Sequence, residues 1–267
     1  MKMPFYSLFL MSTVLANSAE LPFIVGHRGA SHDAPENTLS AFQLALDKGA
    51  DAIEGDFRLT SDGHIVCIHD KDGRRTLGNP MIVAKTPLKE IQKLDAGSWK
   101  GSKWKGERVP TLEEVLAILP KGKRLFLEIK CGPEIIEPLK KIIESRNVRP
   151  PSLMVISFDA AVIRKFKKEL PRIPACWITS YRNRDGKLDP DIDRVLATLS
   201  DIGADGVDCQ ANGGLSGEFA DRLRDAGHEF HVWTVNDRAT AQRFMGLGVL
   251  SLTTDRPGWL RQQLSKP

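Results

Sequence analysis

The sequence predicts an α/β protein, a closed (β/α)₈ (TIM) barrel with one insertion after its second strand. Three observations carry that reading. From Leu21 onward, short β-rich runs alternate with segments whose apolar residues recur three and four apart. Eight strand–helix units can be counted, and strict alternation favours a parallel sheet that eight units can close. The chain has 267 residues, 41% hydrophobic and 27% charged, which suits one barrel with a large core. A doubly wound open sheet is the competing architecture, but the turn after the first strand reads GHRGA, not GxGxxG.

The chain opens with Lys2, an apolar run from Pro4 to Leu15, and the small residues Ala16-Asn17-Ser18-Ala19. This pattern predicts a secretory signal peptide over 1–19, cleavable after Ala16 or Ala19 and too short to stay in a bilayer. The mature chain, 20–267, is then an exported, periplasmic or extracellular domain. No later run reaches eighteen apolar residues, so no membrane span is expected.

Strand 23–26 (FIVG) leads to helix 38–48, with Asn37 as the expected N-cap and Leu39, Phe42 and Leu46 on its apolar face. Strand 51–57 (DAIEGDF) precedes the one break in rhythm. Residues 60–110 hold a hairpin about Ser61-Asp62-Gly63, a strand HIVCIHD and a Gly-, Lys- and Trp-rich segment. That is too long for a simple connection and should decorate one face of the barrel. Helix 111–118 opens on a capping box, Thr111 with Glu114. Strands 124–130, 153–157, 174–179, 205–208, 229–235 and 249–253 then alternate with helices 134–145, 159–169, 190–200, 216–226, 237–246 and 257–264. Gly227 ends the helix before it.

The composition narrows the partners. A net charge of +4, from 38 basic and 34 acidic residues with no concentrated basic stretch, leaves no nucleic-acid footprint. Cys67, Cys131, Cys176 and Cys209 fit no zinc spacing. They read as small buried hydrophobes rather than disulfide partners. The oligomeric state is left unspecified.

Charged residues then fall where a packed barrel has no use for them. His27 and Arg28 follow the first strand. Glu54 and Asp56 lie two apart on the second, so both face the same side, as do Glu128 and Lys130 on the third. The hairpin strand ends at His69-Asp70. These are carboxyl ends of strands, where barrel active sites lie. Three converging carboxylates repel one another unless a cation holds them, and oxygen-only ligation suits Ca²⁺ or Mg²⁺. Two His can move protons near neutral pH, and Arg28 and Lys130 offer donors to an anion. Together they describe hydrolysis of a phosphate ester. Singly, each has a plainer role: Glu128 could pair with Lys130, and His69 could be a satisfied core histidine.

HRG at 27–29, ENT at 36–38, IEGD at 53–56, HD at 69–70 and LEIK at 127–130 resemble the glycerophosphodiester phosphodiesterase family. So do LDAGSWKG at 94–101, PTLEEVL at 110–116, VWTVN at 232–236 and TTDRP at 253–257. The resemblance implies a barrel of the phospholipase C-like kind, with 60–110 as the family's insertion. It implies one divalent cation on Glu54, Asp56 and Glu128, acid–base roles for His27 and His69, and phosphate binding by Arg28 and Lys130. Glu36 and Asn37 would orient the site, a role compatible with capping for Asn37. Trp233 would line the pocket of the glycerol or alcohol portion, or fill the barrel. Two departures stand out: Leu250-Ser251 where the family often has Asp-Gly, and Arg74-Arg75-Thr76-Leu77 with one Thr missing, which leaves open how the insertion reaches the site.

The implied reaction is water-dependent cleavage of a small glycerophosphodiester into sn-glycerol 3-phosphate and an alcohol. Attack by water or by the glycerol 2-hydroxyl, and the division of roles between the two His, stay open at this level. Two rivals remain: action on lysophospholipids, and an inactive phosphodiester-binding module. No metal ligand or His has been lost, which speaks against the second.

Overall fold

A computed structural model describes residues 21–184 and 187–266. The expected leader at 1–19 lies outside the described residues. The strands are β1 (Phe23–Gly26), β2 (Ala52–Leu59), β3 (Ile65–Cys67), β4 (Arg124–Ile129), β5 (Leu153–Ser157) and β6 (Ala175–Thr179). They continue with β7 (Arg182–Arg184), β8 (Lys187–Asp189), β9 (Gly206–Gln210), β10 (Glu229–Trp233) and β11 (Ser251–Thr254). Their order is β1-β11-β10-β9-β6-β5-β4-β2, and β1 also pairs with β2, so eight parallel strands close on themselves. The closed barrel is the one the alternation predicted.

Around it lie α1 (Leu39–Asp47), α2 (Arg74–Leu77), α3 (Leu88–Ile91), α4 (Leu112–Ile118), α5 (Ile136–Ser145), α6 (Ala160–Glu169) and α7 (Ile192–Ile202). α8 (Gly217–Asp225), α9 (Arg238–Gly246) and α10 (Pro257–Leu264) complete the ring. The insertion begins with β3, antiparallel to β2, and carries α2 and α3. It has its own small core of Val66, Ile68, Leu77, Val83, Ile91, Ala96 and Val109. The β7–β8 hairpin was not anticipated. Each of its strands has only three residues, too few to show a clear alternating pattern.

Side-chain alternation decides what faces the barrel axis. On β4, Leu125, Leu127 and Ile129 pack outward against the helices, while Phe126 joins Val25, Ala52, Met154, Ile156, Cys176 and Ile178 inside. Ala52 on β2 faces inward with Phe126, so Glu54, Asp56 and Glu128 take the same parity and continue the inner face. Asp56 and Glu128 are direct neighbours in the register. Gly55, between the two acids, points outward, where a Cβ would lie 2.9 Å from Phe42 Cζ and 3.0 Å from Cys67 Sγ. The cysteines are all free, three of them buried.

The capping box at Thr111 and Glu114 is present, and Gly227 takes its left-handed conformation after α8. The cap of α1 corrects the sequence reading. Thr38, not Asn37, occupies the cap position, its hydroxyl accepting from Ala41 N. Asn37 is buried and its side chain turns to Asp56, for the reason given below.

Gly29 also has a positive φ of 83°, and a Cβ there would stand 2.5 Å from the Ala41 backbone. Gly29→Ala is therefore expected to lower stability by about 2 kcal/mol or more, read as a drop in Tm.

Candidate active site

The carboxyl ends of the barrel strands open on a cavity of about 210 Å³. His27, Arg28, Glu54, His69, Glu128 and Lys130 line it together with Ile156, Phe158, Ile178, Asp208, Trp233 and Thr253. A larger depression of about 740 Å³ on the insertion, with Asp62, Lys89 and Arg108 among its lining, holds none of these groups.

Glu54, Asp56 and Glu128 are all buried, and one ligand oxygen from each lies within 4.8 Å of the others. Burial and the charges of Asp56 and Glu128 push the Glu54 carboxyl well above its ordinary range. Burial and Asp56 raise Glu128 to about 7, against the pull of Lys130. Burial would raise Asp56 as well, but Arg28, His69, Lys130 and a hydrogen bond from Asn37 outweigh it and lower this carboxyl. Glu54 Oε1 and Asp56 Oδ1 are buried with no hydrogen-bond partner among the described residues. Hard, crowded and under-satisfied oxygens fit a divalent cation such as Ca²⁺ or Mg²⁺ better than a soft metal.

Two non-glycine residues with left-handed backbone hold this cluster. Arg28 (φ 54°) donates its N–H to Glu54 Oε2 at 2.8 Å and its carbonyl accepts from Asn37 N at 3.1 Å. Its guanidinium reaches Glu36 at 3.0 Å and Asp56 at 3.2 Å. Asn37 (φ 60°) clamps Asp56 from both sides, Nδ2 donating to the carboxylate at 2.8 Å and Oδ1 accepting from the backbone N–H at 3.1 Å. Such backbone costs on the order of 1–2 kcal/mol per residue, and here it aims two side chains at one carboxylate. Lys130 Nζ sits 2.7 Å from Glu128, 3.7 Å from Asp56 and 5.6 Å above the Phe158 ring.

The two histidines share one arrangement. His27 Nδ1 lies 2.6 Å from Asp255 Oδ1, and His69 Nδ1 lies 2.7 Å from Asp70 Oδ1. A carboxylate on Nδ1 fixes the ring and leaves Nε2 for chemistry. Burial lowers the His69 imidazolium below its ordinary value, offsetting the carboxylates Asp56 and Asp70. Trp233 lines the cavity edge-to-face with Phe158 at 5.7 Å, packs on the inner core, and donates Nε1–H to the Asp208 carbonyl at 3.2 Å.

Four contributors escaped the sequence reading. Asp255 follows the last strand directly, at the same barrel end as the other charged groups, and that position was its available signal. Arg75 joins Glu36 through both terminal nitrogens at 2.7 Å and Asp70 through Nε at 2.7 Å. This is how the insertion reaches the site despite its missing Thr. Arg58 extends from β2 and donates to the carbonyls of His69 and Lys130, tying two strand ends together. Phe158 carries no sequence mark at all. The departure at Leu250-Ser251 lies at the opposite end of the barrel, where Ser251 hydrogen-bonds His231 at 2.8 Å.

Comparison with known proteins decides the family. The glycerophosphoryl diester phosphodiesterase family matches residues 27–259. The chain belongs to this family. YhdW of Bacillus subtilis (strain 168) is 35% identical over 89% of this chain and 96% of its own length. A glycerophosphodiester phosphodiesterase of Caldanaerobacter subterraneus subsp. tengcongensis is 34% identical over 88% of this chain and 94% of its own. Among solved structures, a phosphodiesterase of Oleispira antarctica in complex with the product sn-glycerol-3-phosphate superposes with a TM-score of 0.82. It is 27% identical and covers 92% of this chain and 98% of its own. Membership makes the protein a hydrolase of the family's phosphodiester class.

The histidine partner Asp255 yields a test. Burial would raise its carboxyl, but hydrogen bonds with His27, Asn236 and Ser31 hold it at about 2. A depressed carboxylate contributes stability above its ordinary value near 4 and loses it as pH falls toward 2. Asp255→Asn should accordingly lower Tm at pH 7 and shrink the loss of Tm between pH 4 and 2.

Proposed function

We propose that this protein hydrolyses small glycerophosphodiesters to sn-glycerol 3-phosphate and an alcohol, with His27 and His69 as the acid–base pair. One divalent cation, Ca²⁺ or Mg²⁺, would be held by Glu54, Asp56 and Glu128. One observation carries the reading: two histidines, each oriented by its own carboxylate, border the same cavity as the acidic cluster, Arg28 and Lys130. The product named for the Oleispira relative supports the substrate class.

When bound, the cation supplies positive charge to offset the charge that builds on the phosphate in the transition state. Arg28 and Lys130 bind and orient the phosphate oxygens, Arg28 with a fork matched to that geometry. One imidazole accepts the proton of the attacking oxygen at Nε2 while the other delivers a proton to the departing alkoxide. Asp255 and Asp70 keep each ring aimed and stabilise whichever ring is charged. Glu36 and Asn37 are positioning residues, acting through Arg28, Arg75 and Asp56. The basic start and apolar run of 1–19 support reading the activity as a periplasmic or extracellular one.

His27→Ala and His69→Ala should each reduce kcat on glycerophosphocholine by about 10²–10⁴-fold at saturating cation, with the far-UV spectrum unchanged. Chelator treatment should abolish turnover, and added Ca²⁺ or Mg²⁺ should restore it. Full activity in either His variant, or in the stripped enzyme, contradicts the assignment.

A further inference from the structure

The inner face of the barrel carries a second group of donor atoms, at the end opposite the cavity. Cys176 on β6 and Glu229 and His231 on β10 each present a ligand atom within 4.8 Å of the other two. Cys176 and His231 are buried, while the Glu229 side chain is 37% exposed and opens the group to solvent. The acid–base reading uses none of the three. Along the chain Cys176 lies far from the other two, so only the fold brings them together.

Local packing makes the meeting possible. Cys176 pairs in register with Gly206, and Gly206 with Glu229, so the three form one row across β6, β9 and β10. Val207 and Cys209 pack against the helices, which leaves Gly206 on the inner face. A Cβ at Gly206 would stand 2.6 Å from Glu229 Cβ, so no side chain separates the thiol from the carboxylate. His231 lies two residues after Glu229 and therefore on the same face. Its Nε2 is 3.1 Å from Glu229 Oε2, and its Nδ1 is 2.8 Å from the Ser251 hydroxyl. A hydroxyl on Nδ1 fixes the ring and turns Nε2 to the cluster, the usual support of a metal-bound imidazole.

We propose that Cys176, Glu229 and His231 bind one Zn²⁺, which ties β6 to β10 at the amino-terminal end of the barrel. The site is separate from the acidic cluster and goes beyond the hydrolase reading.

The donor set selects the ion. Thiolate, imidazole and carboxylate are the usual protein ligands of zinc, whereas Ca²⁺ and Mg²⁺ take oxygen, so the two ends of the barrel suit different metals. A hydrogen bond from His231 holds the Glu229 carboxyl below its ordinary range, which keeps it charged near neutral pH. Burial, with the charges of Glu229 and Asp208, raises the Cys176 thiol well above its ordinary value. A bound cation reverses that balance, because a coordinating thiol gives up its proton. Met154 Sδ packs 3.9 Å from Cys176 Sγ, a soft neighbour for a metal-bound thiolate. The cations that act on Glu229 are engaged elsewhere, Lys167 with Asp205 at 2.8 Å and Arg124 over the Phe23 ring at 4.2 Å.

The test titrates chelator-stripped protein with Co²⁺, a spectroscopic stand-in for zinc, with excess Mg²⁺ present for the acidic cluster. A thiolate-to-cobalt charge-transfer band should grow to one equivalent and vanish when Zn²⁺ is added; cobalt on carboxylates alone gives no such band. Zn²⁺ at a hundredfold excess over its Kd should raise Tm by about 5–10 °C. Cys176→Ser, which keeps the size of the side chain, should abolish the band and the Tm rise. Ser251→Ala should weaken zinc binding by about 10–100-fold through the loosened imidazole, and Cys131→Ser should behave as the wild type. His231→Gln should also lose the band; if it does not fold, the wild type and Cys176→Ser decide. Absence of the thiolate band in the wild type overturns the inference. So does a band that survives Cys176→Ser, or zinc that leaves the wild-type Tm unchanged. Far-UV spectra report folding in each variant, so none of these results depends on the hydrolase reading.

Discussion

Three carboxylates buried together at one end of a barrel are the constraint around which this protein is arranged. Charges so close in a poorly solvated site repel strongly, and each must be paired, protonated or shared with a cation. The surroundings divide accordingly. Asp56 has Arg28, Lys130 and a clamp from Asn37, and stays low, whereas Glu54 and Glu128 are driven up. Left-handed backbone at Arg28 and Asn37 is the local cost of that arrangement.

From this cluster the support spreads outward in connected pairs. Asn37 holds Asp56, Arg28 holds Glu54 and Glu36, and Arg75 carries Glu36 across to Asp70 and so to His69. Arg58 ties the His69 and Lys130 carbonyls from below the same rim. The insertion is thereby part of the site's geometry and not merely a decoration of the barrel. His27 stands apart from this chain of contacts and takes its orientation from the last strand's Asp255.

The barrel was legible because periodicity is local: alternating runs and helical spacings need no knowledge of distant contacts. The acidic cluster was legible for a similar reason. Parity along a strand placed Glu54 beside Asp56 and Glu128 beside Lys130, and the barrel brought those ends together. What stayed hidden depends on contacts between residues far apart in the chain. Asp255 meets His27 across 228 positions, and Arg75 meets Glu36 across 39. Asn37 misled as a cap because Asn is a good capping residue, yet the pull of Asp56 turned it inward and left Thr38 to cap α1.

The account turns on whether the carboxylate cluster takes up a cation that replaces protons. Calorimetric titration of chelator-stripped protein with Ca²⁺ or Mg²⁺ at pH 6, repeated in buffers of different ionisation enthalpy, measures this directly. Raised Glu54 and Glu128 should bind one cation per chain and release protons as they do so, and Glu54→Gln should weaken the binding. Absence of saturable binding, or binding with no proton release, would contradict it.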